Sequence, residues 1–228
     1  MTANYAAAAA QQRALVTRGA SAEVIYRLAA RAIEEGGDGG ALLDVGCGQG
    51  LLWSYVSARF ERYLGVDLVR YPEFPARAEF CAADLNVAAI PLPAASADVV
   101  ACIETIEHVE NPRALVRELA RLVRPGGLVL LTTPNQLSLL SKLTLVVKGQ
   151  FNAFTASSPG HITALVEKDL LLIARESGLI DAQIRYTDSG RMPGARRHWP
   201  RILRGRAFSD NVLLAARRPP ASPQGHGQ

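Results

Sequence analysis

Three polar residues near the middle of the chain have the side chains and the spacing of a metal-ligand or acid-base group. Glu104, Glu107 and His108 occupy positions i, i+3 and i+4, so they share one side of the chain if that stretch forms a helical turn. His161, in a later segment, would complete a set of two carboxylates and two imidazoles. This set suits Mg²⁺, Mn²⁺ or Zn²⁺ better than calcium, and a bound cation would lower the pKa of a hydroxyl that ligates it.

The same residues also allow chemistry without a metal. His161 or His108 would then act as a general base, with Glu107 beside it, because an imidazole gains and loses a proton near neutral pH. Either histidine could instead only position the segments around it. These three are the candidate catalytic residues, and the metal site of Glu104, Glu107, His108 and His161 stays open as an alternative.

A glycine-rich loop follows the first buried apolar run of the sequence. Its glycines, Gly46, Gly48 and Gly50, have the spacing G-x-G-x-G, whereas loops that bind a dinucleotide pyrophosphate have the spacing G-x-G-x-x-G. Two later apolar runs end in Asp67 and Asp84. The sequence therefore does not match the pyrophosphate loop, and it places acids at the ends of predicted strands, where open α/β sheets bind ligands.

Four features in this order resemble the class I S-adenosylmethionine-dependent methyltransferases. They are Asp44-Val45-Gly46-Cys47-Gly48-Gln49-Gly50, Asp67, Asp84 and Arg124-Pro125-Gly126-Gly127. The resemblance covers approximately residues 38–135. It implies an α/β enzyme that binds S-adenosylmethionine on a Rossmann-like, seven-stranded, mostly parallel sheet whose last strand is antiparallel.

The resemblance also implies which residues contact the cofactor. Loop glycines let the backbone approach the methionine and ribose portion, and Asp44 helps to hold the cationic amino end. Asp67 accepts both ribose hydroxyls, and Asp84 contacts the adenine amino group with Leu85 beside the ring. The cofactor-binding residues predicted in this way are Asp44, Gly46, Cys47, Gly48, Gly50, Asp67, Leu68, Asp84, Leu85 and Glu104.

The pattern Glu104-x-x-Glu107-His108 with a distant histidine is similar to that of ubiquinone-biosynthesis O-methyltransferases and of small-RNA terminal 2′-O-methyltransferases. The segment after Pro134 looks like methyltransferases found beside bacterial cell-surface polysaccharide genes. These resemblances favour O-methylation of a small hydroxylated or anionic acceptor, such as a sugar, a quinone precursor or a secondary metabolite. The alternatives are an RNA methyltransferase, a cofactor-binding protein that acts through a partner, and N- or C-methylation. The chain has few lysines and few aromatic residues that could stack on bases, which disfavours a nucleic-acid substrate.

Alternating apolar runs and helical patterns predict a parallel sheet. Asn111 and Pro112 predict the start of a helix that Arg124-Pro125-Gly126-Gly127 stops, and Thr163 predicts the start of another. Two helices are expected before the first strand, and residues 136–160 break the alternation as an inserted lid. The predicted strands are 41–45, 63–67, 78–84, 97–103, 128–133, 180–186 and 211–216.

The chain of 228 residues predicts one domain over residues 1–218, followed by a disordered tail at 219–228. The parts of this domain are an N-terminal helical cap (1–37), a cofactor-binding core (38–135), the lid (136–160) and a C-terminal part of the sheet (161–218).

Composition favours a soluble globular protein of the cytoplasm, either a monomer or a homodimer. Hydrophobic residues make up 49% of the chain, and the three cysteines form no C-x-x-C pair, which predicts buried free thiols in a reducing compartment. The sequence has no apolar run long enough to span a membrane and no secretory signal pattern.

Positive charge is concentrated near the C-terminus. Between residues 185 and 218 nine arginines face two aspartates, a net charge of +7, whereas the rest of the chain carries −3 within a total of +4. A solvated arginine-rich face and an anion-binding lid over the acceptor both fit this distribution. Phe151, Phe154, Trp199 and Tyr71 are candidates for lining an acceptor pocket, with burial in the core as the alternative.

Overall fold

The fold is a seven-stranded sheet with helices on both faces. The computed structural model describes residues 19–37, 39–86, 89–155, 158, 160–195 and 197–221. The strands are β1 (Ala41–Val45), β2 (Arg62–Asp67), β3 (Glu79–Ala82), β4 (Ala97–Cys102), β5 (Val123–Pro134), β6 (Ile180–Tyr186) and β7 (Asn211–Arg217). Their order is β3-β2-β1-β4-β5-β7-β6. Strands β1 to β5 are parallel and β7 is antiparallel to both neighbours, which confirms the predicted sheet with its antiparallel last strand.

Two hydrophobic clusters cover the two faces of the sheet. The helices in the described residues are α1 (Glu23–Gly36), α2 (Trp53–Val56), α3 (Pro112–Leu122), α4 (Leu139–Lys148) and α5 (Glu167–Glu176). Ile33 of α1 belongs to the cluster on one face. Leu119 of α3 and Ile173 of α5 belong to the cluster on the other. Of the two helices predicted before β1, one is α1 and the other lies outside the described residues, as does most of the predicted tail.

Strand β5 is longer than the sequence predicts. It includes Arg124-Pro125-Gly126-Gly127, which was expected only to stop the preceding helix. Val123 pairs with Ala97, and the register then shifts before Leu128 pairs with Val99. The four residues thus form an irregular start of the strand, although α3 does end at Leu122 as that motif predicts.

Helix α3 begins where Asn111 predicts. The side chain of Asn111 accepts a hydrogen bond from the N–H of Ala114 (3.0 Å), and Pro112 occupies the first turn. This cap satisfies one of the N–H groups that a helix start leaves without an intrahelical partner.

The predicted start of α5 at Thr163 is wrong. The Thr163 hydroxyl donates to the carbonyl of Val109 (2.9 Å) and so holds the segment beside the end of the loop after β4. The helix begins at Glu167, where the carboxylate of Asp169 accepts the N–H of Val166 (3.1 Å). A threonine satisfied by a distant carbonyl is not available as a helix cap.

Helix α4 lies in the segment predicted to be a lid. Ser138 caps its start by accepting the N–H of Ser141 (3.1 Å), and Gly149 ends it with a φ of +70°. Ser141 is 3% exposed, whereas Val146 is 83% exposed, so the helix has a buried polar side and an open apolar side. Its movement as a lid stays a prediction.

All three cysteines are free. Cys47 and Cys102 are buried as predicted, but Cys81 is only half-buried. None of the helices in the described part of the chain combines the length and the apolar character needed to cross a bilayer.

Candidate functional site

A cavity of about 650 Å³ lies where strands β1 to β5 end. Its volume is in the range of roughly 300 to 1,000 Å³ that small-molecule sites occupy. Ten of the thirteen predicted site residues line it: Gly46, Gly48, Asp67, Leu68, Asp84, Leu85, Glu104, Glu107, His108 and His161. The exceptions are Asp44, Cys47 and Gly50. The sheet thus gathers residues that are far apart in the sequence into one site.

The glycine loop is fixed by close backbone contacts. The N–H of Gly46 donates to the carbonyl of Val66 on β2 (2.7 Å). Gly48 has a φ of +52°, and a Cβ atom there would lie 2.2 Å from the carbonyl oxygen of Gly19. Glycine at position 48 therefore lets the segment at Gly19 cross the loop, and Ser21 of that segment lines the cavity.

Asp67 ends β2 at the wall of the cavity. One of its carboxylate oxygens accepts the N–H of Gly48 (2.8 Å), and the other accepts the N–H of Leu68 (2.7 Å). Burial raises the pKa of Asp67, while the backbone N–H groups favour the charged form. Because each carboxylate oxygen has two lone pairs, the side chain can still accept hydrogen bonds from a ligand.

Asp44 lies behind the loop, and its side chain does not line the cavity. It is 2% exposed and accepts the hydroxyl hydrogen of Tyr63 (2.9 Å). Burial raises the pKa of Asp44 to about 7, the Tyr63 hydrogen bond opposes this shift, and the nearby Asp67 carboxylate adds to it. A contact between Asp44 and the amino end of the cofactor stays a prediction.

Cys47 and Gly50 also support the loop from behind. Burial raises the pKa of the Cys47 thiol, which keeps it neutral. A Cβ atom at Gly50 would lie 2.7 Å from Cδ of Pro75. Their contacts with a cofactor stay predictions as well.

Glu104 follows β4 with a φ of +47°, a conformation that residues other than glycine rarely adopt. Its N–H donates to the Thr132 hydroxyl (2.9 Å), and its carboxylate accepts the side-chain amide of Asn211 (2.8 Å). Burial raises the pKa of Glu104 to about 7, and the hydrogen bonds from Thr132 and Asn211 oppose this shift. Three strands therefore hold this carboxylate at the cavity.

Glu107 is a fully buried carboxylate, 0% exposed, on the short 3-10 turn Ile106–His108. Neither of its oxygens has a hydrogen-bond partner among the described residues. Burial raises its pKa well above the usual value, and the negative charge of Glu104 adds to this. The Thr133 hydroxyl is close enough to favour the charged form but lies outside hydrogen-bond geometry. Such a group is costly to bury unless a ligand satisfies it.

His108 and His161 are held in defined orientations. Nδ1 of His108 lies 2.8 Å from the carbonyl oxygen of Gly160, so that nitrogen carries a proton. Burial lowers the pKa of His161, and a hydrogen bond to the backbone of Ala153 opposes the shift. Nδ1 of His161 is buried without a hydrogen-bond partner in the described structure.

Glu107, His108 and His161 meet in one cluster. One ligand atom from each lies within 4.8 Å of the other two. Glu104, which the sequence predicts as a fourth ligand, does not belong to this group. The carboxylate of Glu104 accepts the side-chain amide of Asn211 instead, and its role as a fourth ligand stays a prediction.

Two comparisons identify the family. A sequence profile described as "Methyltransferase domain" matches residues 16–183. The "Ubiquinone biosynthesis O-methyltransferase" of Leptothrix cholodnii is 31% identical over 194 residues, which cover 79% of each chain. The chain belongs to the class I S-adenosylmethionine-dependent methyltransferases. It is therefore an enzyme whose cofactor is S-adenosylmethionine.

Other relatives agree with this assignment. The protein of the same name from Ralstonia nicotianae is 30% identical to this methyltransferase over 193 residues, 80% of this chain and 78% of that one. A crystal structure of a SAM-dependent methyltransferase from Archaeoglobus fulgidus has the same fold, with a TM-score of 0.64 over 89% of this chain and 96% of the other. Its sequence identity of 16% supports the fold alone.

Most of the aromatic residues predicted for the acceptor pocket do not line the methyltransferase cavity. Tyr71 does line it, whereas Phe151, Phe154 and Trp199 do not. Phe154 instead packs edge-to-face against His161, with 5.4 Å between ring centroids, and Trp199 packs against Phe208 in the same way. These rings hold other side chains in place.

Several residues of the methyltransferase cavity escape sequence analysis. Asn211, which binds Glu104, begins β7, Ser138 caps α4, and Ser141 belongs to α4. None of them lies in a recognisable motif. A polar residue at the start of an otherwise apolar last strand is the one signal that marks Asn211 in the sequence.

Proposed function

We propose that this methyltransferase transfers a methyl group to a hydroxyl of a small acceptor, and that the reaction takes place at the cluster of Glu107, His108 and His161. The observation that carries the proposal is this cluster of one buried carboxyl and two half-buried imidazoles on the wall of the same cavity as the glycine loop. The names of the 31% and 30% identical relatives, both O-methyltransferases, support it.

The residues at one end of the cavity fit the cofactor. Asp67 presents carboxylate lone pairs that can accept the two ribose hydroxyls, and Asp84 and Leu85 line the wall where the adenine would lie. The backbones of Gly19 and Gly48 approach each other closely, and because neither residue has a side chain, the methionine portion of the cofactor could lie against bare backbone there. S-adenosylmethionine supplies, when bound, a methyl group on a positively charged sulfur that a nucleophile attacks in line.

The cluster removes the proton from the acceptor. With S-adenosylmethionine bound, the acceptor oxygen would bond to the methyl carbon as the carbon–sulfur bond breaks with its electron pair going to sulfur, and the hydroxyl proton would pass to the His161 imidazole. A lowered pKa keeps this ring uncharged near neutral pH. The carboxyl of Glu107, whose pKa burial raises, lies close by and can accept a hydrogen bond from the imidazolium that results. The surrounding burial excludes water.

The same three residues fit a divalent cation. Two carboxylate oxygens of Glu107 and Nδ1 of His161 are buried without partners in the described structure, and His108 donates Nδ1–H to a carbonyl, as metal-ligating histidines do. Ligands of one cation lie roughly 3.0 to 3.5 Å apart, so the present spread of up to 4.8 Å requires small rotamer changes. A cation of the Mg²⁺, Mn²⁺ or Zn²⁺ type would lower the pKa of the acceptor hydroxyl.

Methyl transfer from labelled S-adenosylmethionine to a panel of small acceptors tests this function. The panel contains a catechol, glucuronate, glucose 6-phosphate and glucose, with an amine of similar size as a control. We expect a product in which mass spectrometry and NMR place the methyl group on oxygen. Transfer to the amine and to no hydroxyl would contradict the proposal. Failure to methylate any acceptor of the panel, by protein that still binds S-adenosylhomocysteine, would contradict it too.

A further inference from the structure

We propose that the acceptor is an anionic, polyhydroxylated molecule of the sugar-acid or sugar-phosphate class, and that its negative group binds Arg191. This inference rests on the proposed function, because it names the acceptor of the same site. Such an acceptor differs from one with a long apolar tail, because an apolar tail would need an apolar pocket. Four observations support the inference: the position of one loop, the polarity of one wall of the cavity, the geometry of Arg191 and the charge of the loop that carries it.

The loop between β6 and β7, residues 187–210, reaches the cavity from the side opposite to the cofactor residues. Strand β6 is parallel to β5, since both are antiparallel to β7, so this loop lies at the edge where β1 to β5 end. The order β2-β1-β4-β5-β7 separates Asp67 from this loop by four strand spacings, about 19 Å. His108 follows β4, between the two, where a methyl donor and an acceptor would meet.

One wall of the cavity is polar. This wall is formed by the end of β5, helix α4 with the segment after it, and the 187–210 loop. Pro134 and Ala153 are the apolar members of this wall among the described residues. Polar members include Ser138, Ser141, Asn152, Ser189, Arg191 and His198. A sugar offers hydroxyls to such a wall, whereas an apolar chain would leave its donors and acceptors unsatisfied.

Arg191 is held so that part of its guanidinium remains available. Its Nε donates to one carboxylate oxygen of Asp210 (2.6 Å), and its backbone N–H donates to the other (3.2 Å). Asp210 is itself fixed, since its N–H donates to the carbonyl of Ser189 (3.1 Å). The hydrogen bond to Asp210 occupies Nε of the Arg191 guanidinium. The N–H groups of its two terminal nitrogens have the geometry to bind a carboxylate or a phosphate.

The charge around Arg191 favours an anion. An antiparallel backbone bridge places His198 beside Arg191, and both line the cavity. Within the described part of residues 187–210, five arginines outnumber two aspartates. The loop that carries the ion pair of Arg191 and Asp210 is therefore net positive, which favours a negative ligand at this end of the cavity.

Calorimetric titration of the full chain, saturated with S-adenosylhomocysteine, tests the inference. The probes are glucuronate, glucose 6-phosphate and uncharged glucose, so that a carboxylate and a phosphate are distinguished. We expect at least one anion to bind ten times more tightly than glucose. Arg191→Gln should abolish this preference, and Arg191→Lys should retain part of it. Arg201→Gln is the matched control, because Arg201 is exposed on the same loop and does not line the cavity; we expect less than a twofold change.

Several outcomes would overturn the inference. Equal binding of glucose and both anions would do so, as would equal losses in Arg191→Gln and Arg201→Gln, or a short RNA oligonucleotide binding more tightly than either sugar. Efficient methylation of a catechol, unaffected by Arg191→Gln, would also overturn it and leave the proposed function intact. Conversely, anions that bind through Arg191 while only an amine is methylated would refute the proposed function and leave the anion site standing.

Discussion

The imidazole rings of His108 and His161 lie 4.8 Å apart and meet edge-to-face at an interplanar angle of 77°. His108 is placed by the turn after β4, and His161 by the segment that precedes α5. The N–H groups of Ile162 and Thr163 donate to the carbonyl of Glu107 (2.9 and 3.0 Å), which ties the two segments together. The cluster of Glu107, His108 and His161 is thus assembled by backbone hydrogen bonds between distant parts of the sequence.

Phe154 is expected to set the pKa of His161. Its ring packs on the imidazole and contributes to the burial that lowers this pKa below 6.5. In Phe154→Leu water reaches the ring, so the pKa should rise toward 6.5. NMR titration of the imidazole protons measures this, and assignment is practical because the chain has four histidines.

Phe80→Leu is the matched control for that experiment. Phe80 makes a similar edge-to-face contact with Phe74, 5.4 Å between centroids, away from the cluster. Both variants should lose about 1 kcal/mol of stability, but only Phe154→Leu should move the pKa of His161. An identical His161 pKa in the wild type and both variants would show that Phe154 has no such role.

Asp67→Asn should weaken the binding of S-adenosylhomocysteine by about 10- to 100-fold, since two hydrogen bonds to a charged acceptor lose strength. Isothermal calorimetry measures the affinity. Asp98→Asn serves as the control, because Asp98 pairs with Arg124 and does not line the cavity. If Asp67→Asn bound the product as tightly as Asp98→Asn does, Asp67 would not hold the ribose.

Asp44 is expected to make the ligand-free protein less stable as pH rises. Its pKa is about 7 in the folded protein, whereas the ordinary value is 3.8. Between these values the folded state holds a proton that the unfolded state has lost, so the free energy of unfolding falls with increasing pH and the contribution is gone above pH 7. Asp44→Asn cannot ionise and should escape this loss.

Urea unfolding of the wild type and Asp44→Asn at pH 5 and pH 8 checks that prediction. The variant should gain about 1 to 3 kcal/mol relative to the wild type over this interval. Asp98→Asn is the control: against the effect of its partial burial, hydrogen bonds from Ala41 and Arg124 lower the pKa of Asp98, so this carboxyl is ionised in both states at pH 5 and pH 8 and the difference from the wild type should not change with pH. A difference between wild type and Asp44→Asn that does not change with pH would contradict the pKa assigned to Asp44.

A divalent cation should bind the EDTA-treated protein at the cluster. Titration with Mn²⁺ in the presence of S-adenosylhomocysteine should show one site, weakened at least tenfold by Glu107→Gln and by His161→Gln. Glu104→Gln should change the affinity less than threefold, because Glu104 lies outside the cluster. Binding that none of these substitutions affects would place the cation elsewhere, and absence of binding would rule out Mn²⁺ as a ligand of the cluster.

The sheet and the glycine-loop end of the cavity could be predicted from sequence because their signals are local. Apolar runs mark the parallel strands and Asn111 marks a helix start, while Asp67 ends one strand and Asp84 lies two residues after another. A strand that is buried on both faces consists mostly of apolar residues, so it is recognisable as an apolar run in the sequence. Glycines at positions 46 and 48 mark a turn that other residues cannot adopt.

The acceptor end could not be predicted because its contacts are long-range. Thr163 has the residue type of a helix cap, but its hydroxyl binds Val109 instead. Glu104 has the spacing of a metal ligand, but its carboxylate accepts the side-chain amide of Asn211 instead. Phe154 has the character of a pocket residue and supports His161. In each case a partner distant in the sequence decides the role.

The reacting centre is tested most directly by the steady-state kinetics of Glu107→Gln and His161→Gln on the acceptor methylated fastest in the panel. We predict that kcat falls about 100-fold or more in His161→Gln and at least tenfold in Glu107→Gln. The affinity for S-adenosylhomocysteine should stay within threefold of the wild type, which shows that both variants are folded. If kcat stayed within twofold of the wild type in both variants, the cluster of Glu107, His108 and His161 would not be where the methyl group is transferred.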